Sequence, residues 1–182
     1  MASTYTERGA DSTRRARVLT YVLSYDDLLA GDAKGFTIED DALPFHIGRA
    51  SDDAPARLTD RARLALPDRW ASTSHCHIRR VGTSDVIHED GSRNGTWVNG
   101  ERVDRYRVLS DGDLIEVGHS LLCYRTVEEH AAAALSDVAS VRMGPAPTHN
   151  PEVAVVIRDL RLLAASREPV LFVGEAGVGK ET

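Results

Sequence analysis

The chain has 182 residues, 42% of them hydrophobic, and a formal net charge of -6 at pH 7. That length allows one full domain and a fragment of a second, and an acidic surface gains nothing from meeting nucleic acid or an anionic membrane, so any anion recognition must be local. Cys76 and Cys123 are too few and too far apart for a disulfide framework or a zinc site, and no apolar run approaches a bilayer span; the sequence predicts a cytoplasmic protein with no membrane partner and no direct contact with nucleic acid.

Residues 1–16 are small, polar and charged, with Arg14, Arg15 and then Arg17 near their end, and read as a flexible tail. From Val18 onward short β-prone stretches follow one another at 18–23, 35–38, 43–47, 76–79, 85–88, 96–98, 106–109, 114–117 and 121–124. Asn99-Gly100 can take the two positive φ values of a type I′ hairpin, and Asp111-Gly112 turns the chain before the Leu114 stretch. Many short strands with such turns predict an all-β fold, an antiparallel β-sandwich. The stretch from Ala50 to Trp70 alternates Asp and Arg and is long for a loop, so it is expected to be a partly ordered insertion.

Past Thr126 the period changes to helical, with Val127, Ala131, Ala134, Leu135, Val138 and Val141 on one face. Residues 143–147, Met-Gly-Pro-Ala-Pro, break that helix and form a linker. Asn150 can cap a second helix with Pro151 in its first turn, its apolar face being Val153, Val156, Ile157, Leu160 and Leu163. A fully apolar strand at 170–173 then leads into Gly174-Glu175-Ala176-Gly177-Val178-Gly179-Lys180.

Three short words stand just outside strands in the middle of the chain: Gly48-Arg49, Ser72-Thr73-Ser74-His75, and Ser92-Arg93-Asn94-Gly95-Thr96 with Asn99-Gly100 close behind. Singly, Arg49, Ser72 and Asn94 read as a solvated arginine and two turn residues. In this order, with 109–118 closing the series, they resemble the forkhead-associated (FHA) domain, a phosphothreonine-binding β-sandwich, over about residues 18 to 126. The resemblance implies a phosphothreonine-containing partner, a Ser/Thr kinase or its substrate, bound at one end of the sandwich.

The chemistry implied for each residue follows from the ligand. A phosphothreonine carries about -1.5 to -2 charges and three acceptor oxygens, so its reader needs a fixed cation and neutral donors aimed at one point. Arg49 would supply the planar, permanently charged fork. Gly48 would let the backbone bend, Ser72 would donate its hydroxyl, and Thr73 would add backbone or hydroxyl donors. Asn94 would hold the ligand's backbone, because an amide both gives and accepts hydrogen bonds, and Arg93 would touch phosphate or select a flanking acidic side chain. Gly95 and Asn99 are assigned to support, as is His75, which would brace the loop from behind. The family usually carries a basic or amide-bearing residue after the serine; Thr73 stands there instead, which bears on affinity or peptide preference and not on the fold. Cys76 and Ile78 share a parity that faces the core, leaving His75 and His77 on the other side. That parity excludes a metal cluster of His75, Cys76 and His77, and no cofactor is expected.

The 174–180 segment fits the G-x-x-x-x-G-K phosphate loop, with Gly174, Gly177, Gly179 and Lys180 as nucleotide-binding candidates. Its wording resembles the opening of the AAA+ domain of sigma-54-dependent bacterial transcription activators, with Glu181 where phosphate loops usually carry Ser or Thr. The sequence stops two residues after the lysine, before the helix whose amides would surround a phosphate, so this chain is expected to be no enzyme and to bind ATP weakly or not at all. The expected division is a tail at 1–16, the FHA domain at 17–127, a helix and linker at 128–150, and a truncated α/β phosphate-loop fragment at 151–182. The function implied is a phosphopeptide sensor of a sigma-54-dependent regulator, reaching sigma-54 RNA polymerase through a missing C-terminal domain. Two alternatives stand beside it: an ATP-dependent activator whose catalytic part is missing, and a phosphate-independent interaction module.

Overall fold

The computed structural model describes residues 15–26, 34–51, 54–138, 150–165, 171, 173 and 174, and statements of absence below concern these. Twelve strands are formed: β1 (Arg15–Ser24), β2 (Lys34–Ile38), β3 (Phe45–Arg49), β4 (Arg57–Asp60), β5 (Arg63–Leu66), β6 (Cys76–Val81), β7 (Ser84–Glu89), β8 (Thr96–Val98), β9 (Glu101–Arg102), β10 (Tyr106–Val108), β11 (Leu114–Val117) and β12 (Ser120–Glu128). They make two six-stranded sheets, ordered β2-β1-β12-β11-β8-β9 and β10-β7-β6-β3-β5-β4. The first sheet is antiparallel throughout. The second is mixed, because β3 and β5 run parallel. The result is the β-sandwich that the alternating pattern predicts, with one parallel pair in place of a wholly antiparallel arrangement.

Alternation explains the core. Phe45 and Ile47 point inward with His46 between them, and Cys76 and Ile78 do so with His77 between them. Opposite them, Leu19, Ile115, Leu122 and Tyr124 come from the first sheet, closing one continuous apolar interior. Both cysteines are free.

Four features differ from the sequence expectation. Strand β1 already includes Arg15 and Ala16, which pair with Glu128 and Val127, so the polar start of the chain gains backbone partners earlier than its composition suggests. The 50–70 insertion contains β4 and β5, and β5 lies directly on β3. His75 is fully buried, and not on the outer face: it precedes β6, where the chain turns over the end of the sandwich and strand parity no longer applies. Val127 belongs to β12 and not to the helix, which starts one residue after that strand as α1 (Glu129–Val138). Val141 and the 143–147 linker lie outside the described residues.

The second helix, α2 (Pro151–Ala164), is capped by Asn150, whose Oδ1 accepts from the Glu152 and Val153 N–H groups at 2.9 and 3.4 Å. It buries Ala154, with Val155 and Ile157 alongside, against Ala131, Ala132 and Ala134 of α1 and against Val18 and Val127. The expected face is therefore rotated: Val153, Val156 and Leu163 are exposed, because the small alanines of α1 favour close approach by Ala154 and not by the bulkier side chains. Beyond α2, Leu171 and Val173 are 85% and 87% exposed and form no strand, having no neighbouring strand to pair with among the described residues. Among those residues no helix is long and apolar enough to cross a membrane.

Candidate functional site

Three loops meet at one end of the sandwich: the chain leaving β3, the β5–β6 loop, and the β7–β8 loop. They are locked together largely through backbone groups. The Arg49 N–H donates to the Ser72 carbonyl (2.9 Å), which sets the two residues side by side. Gly48, inside β3, is required for a reason other than bending: a Cβ there would lie 2.0 Å from the Thr73 carbonyl oxygen, so only glycine lets the two chains approach. The same carbonyl accepts from Arg63 Nη2 at 2.6 Å.

His75 ties the loops from inside. Its Nδ1 accepts from the Ser72 N–H (3.0 Å), which leaves the ring proton on Nε2 to donate to the Gly95 carbonyl (3.1 Å). Its backbone N–H donates to the Ile47 carbonyl (3.2 Å), and its own carbonyl accepts from the Asp90 N–H (3.1 Å). One buried neutral imidazole thus joins β3, the Ser72 loop and the Asn94 loop.

Ser72 Oγ accepts from the Arg93 N–H at 3.0 Å, and its hydroxyl proton has no acceptor among the described residues. That bond holds the hydroxyl in place. Asn94 uses one Nδ2 proton on the Trp70 carbonyl (2.7 Å), and its second amide proton and Oδ1 have no partner among the described residues. Asn99 sits apart, at φ 53° beside Gly100 at 76°, in the hairpin between β8 and β9. Its side chain donates to Asp113 (2.8 Å) and accepts from the Leu114 N–H (2.9 Å), so it supports the neighbouring turn and does not line the groove.

Arg49, Arg69, Trp70, Ala71, Ser72, Thr73, Arg93 and Asn94 line an open groove of ≈ 830 Å³. Arg49 Nη1 makes one long contact to the Arg69 carbonyl (3.4 Å). Among the described residues no carboxylate forms an ion pair with Arg49, Arg69 or Arg93. A chain of net charge -6 therefore gathers three guanidinium groups at one groove, none paired with a carboxylate among the described residues.

Several residues that shape this end carry no motif. Asp68 is buried, with Oδ1 accepting from the Trp70 N–H (2.8 Å) and Oδ2 from the His119 N–H (2.8 Å) and the Ser120 hydroxyl (2.7 Å). It pins the Arg69-Trp70 segment to the β11–β12 hairpin, where Trp70 stacks on His119 at 4.7 Å. Glu89 closes the Asn94 loop by accepting from the Ser92 N–H and the Thr96 hydroxyl. Burial pushes its pKa up, but those hydrogen bonds outweigh it and hold the carboxyl below its ordinary value. A signal for Glu89 existed in its place three residues before Ser92, where a carboxylate can cap a turn; Asp68 offered none.

Of the nucleotide-binding candidates, Gly174 is described and exposed in a segment without secondary structure, while Gly177, Gly179 and Lys180 lie outside the described residues.

The FHA domain model matches residues 45–118. The chain is 39% identical over 64 residues to the FHA domain-containing protein FhaA of Mycobacterium tuberculosis, and 31% identical over 77 residues to Germ layers disorganized gldi-3 of Caenorhabditis elegans. These alignments cover 35% and 40% of this chain but only 12% and 8% of those much longer relatives. Among solved structures, the FhaA FHA domain in complex with the intracellular domain of Rv3910 is 28% identical, with a TM-score of 0.45, covering 60% of this chain and 99% of that one. The family-model match marks residues 45–118, the middle of a longer chain, as an FHA domain.

Proposed function

We propose that the groove binds a phosphothreonine-containing peptide, with Arg49, Ser72, Thr73, Arg93 and Asn94 as contacts and Gly48, His75, Gly95 and Asn99 as support. The observation that carries this is the state of Arg49 and Ser72: a guanidinium with no carboxylate partner among the described residues lies beside a hydroxyl that accepts from the Arg93 N–H and whose proton has no acceptor among those residues. Such a pair is preorganised for an anion with several acceptor oxygens. The match to the FHA family supports the same reading. The chain then acts as a cytoplasmic binding module and not as an enzyme, and its partner is a phosphorylated protein, a Ser/Thr kinase or that kinase's substrate. Calorimetry with one peptide in phosphorylated and unphosphorylated forms tests this. Binding confined to the phosphorylated form is expected; equal binding would favour a phosphate-independent module.

A wider setting is favoured by the wording of 174–180, a phosphate loop after an apolar run: the sensor region of a sigma-54-dependent regulator. Association with sigma-54 RNA polymerase, measured by co-purification of the protein with its native gene neighbours present, tests it. A protein that never co-purifies with the polymerase removes that setting and leaves the phosphopeptide reading standing.

A further inference from the structure

The outer face of the second sheet carries a row of imidazoles that peptide binding does not use. Strand register places Arg63, His46, His77, His88 and Tyr106 side by side across β5, β3, β6, β7 and β10. Three of the seven histidines in the chain stand in this row. The ring centroids of His46 and His77 are 5.4 Å apart, and His77 stacks on His88 at 5.0 Å and 9°. Asp90, just past the end of β7, turns back onto the row with Oδ1 2.7 Å from His77 Nδ1. One ligating atom from each of His46, His77 and Asp90 lies within 4.8 Å of the other two.

We propose that His46, His77 and Asp90 form a binding site for a divalent transition-metal ion of the zinc class. The donor set decides the class: two imidazoles and one carboxylate suit Zn²⁺, Ni²⁺ or Cu²⁺, whereas Ca²⁺ and Mg²⁺ require a shell of oxygens. Zinc bonds of about 2.0 to 2.2 Å place donors about 3.4 Å apart, so the hydrogen-bonded His77–Asp90 pair must open slightly while the wider separations, up to 4.8 Å, close. Side-chain rotation can supply this, because His46 and His77 are cross-strand partners whose backbones already sit at pairing distance, and neither ring is fully buried. The stacked ring of His88 supports His77 from the side away from the site and fixes its plane. The one cation in the row, Arg63, is turned toward the recognition loop by its bond to the Thr73 carbonyl. Three protein donors leave open positions for water or for a side chain from another molecule. The adjacent trio His75-Cys76-His77 is not this site, since only His77 of the three faces outward.

Titration of the full chain with ZnCl₂, followed by calorimetry and by the ring resonances of its histidines, tests the proposal. One equivalent is expected to bind, shifting His46 and His77 but not His119 or His130. His46→Ala and His77→Ala should each weaken binding by about tenfold or more, with His119→Ala leaving it unchanged. Thermal melts of the variants without metal establish that they are folded, and His46→Gln and His77→Gln replace any that are not. Absence of saturable binding, or equal affinity in wild type and both folded variants, overturns the site.

Discussion

The same residue type is used in opposite ways at the two ends of this sandwich. At the loop end, Arg49, Arg69 and Arg93 line one groove, and among the described residues none of them forms an ion pair with a carboxylate. At the far end of β7, Asp85 is buried and accepts from Arg17 Nε (2.8 Å), Arg80 Nε (2.9 Å) and the Tyr124 hydroxyl (2.5 Å), and Arg17 also pairs with Asp40. Burial alone would lower the Arg17 pKa, yet its bonds to Asp85 and Asp40 raise it, and burial with the neighbouring Asp85 pushes the Tyr124 phenol up. Asp85 lies on the second sheet and Arg17 and Tyr124 on the first, so this cluster joins the two layers. Charge that is paired and buried specifies how the sheets meet; charge left unpaired at the rim is available to a ligand.

That contrast is easiest to break at Asp85. Asp85→Ala leaves the buried Arg17 guanidinium with Asp40 alone and strands the Tyr124 phenol, and is expected to cost about 3 to 5 kcal/mol of stability while sparing peptide affinity in the protein that remains folded. Denaturant unfolding measures it, and a loss below about 1 kcal/mol would show that the cluster is incidental. Arg49→Ala reverses the pattern. It should remove phosphopeptide binding detectable by calorimetry, at about 1.5 to 3 kcal/mol per charged hydrogen bond lost, with the melting temperature nearly unchanged. Unaltered affinity takes Arg49 out of the site.

His75→Ala sharpens the comparison from between the two ends, since this residue is buried yet belongs to the loop end. It leaves the Ser72 N–H and the Gly95 carbonyl unpaired, so about 1 to 3 kcal/mol of stability should go first and binding only as a consequence. A variant with native melting temperature and no binding would mean that the ring meets the ligand directly.

The smallest expected effect is on acid stability. Glu89 has a folded pKa held below its ordinary 4.5, so its contribution is present above that value and is lost as pH falls through the lower folded value. Glu89→Gln should flatten this part of the stability profile measured by denaturant unfolding across the acid range; an identical slope in both proteins counts against the carboxylate clasp.

Much of this architecture was legible because it rests on local chemistry. Asn99-Gly100 can only turn, Phe45-His46-Ile47 alternates as a half-buried strand must, and Asn150-Pro151 begins a helix. What escaped depends on where the chain returns. β5 is short, its hairpin with β4 turns through Arg61-Ala62 without the Gly or Asn that marks such turns, and its other partner is the parallel β3. Asp68 acquires its role from His119 and Ser120, about fifty positions away in sequence, and Arg17 from Asp85. The imidazole row exists only once register is fixed, since His46, His77 and His88 come from three strands. At the groove, residue types named the contacts, but the pairing of Asn94 with Trp70 and the contact of Gly48 with Thr73 required the folded loops.

The contact between Gly48 and the Thr73 carbonyl has an engineering consequence. Because the groove is assembled from peptide groups, with Arg49 N–H on the Ser72 carbonyl and Arg93 N–H on Ser72 Oγ, the exposed side chains of Arg69, Trp70, Thr73 and Arg93 can be exchanged without dismantling its frame. Preference for the residues flanking a phosphate could then be recoded at these four positions, while Gly48 tolerates no added atom.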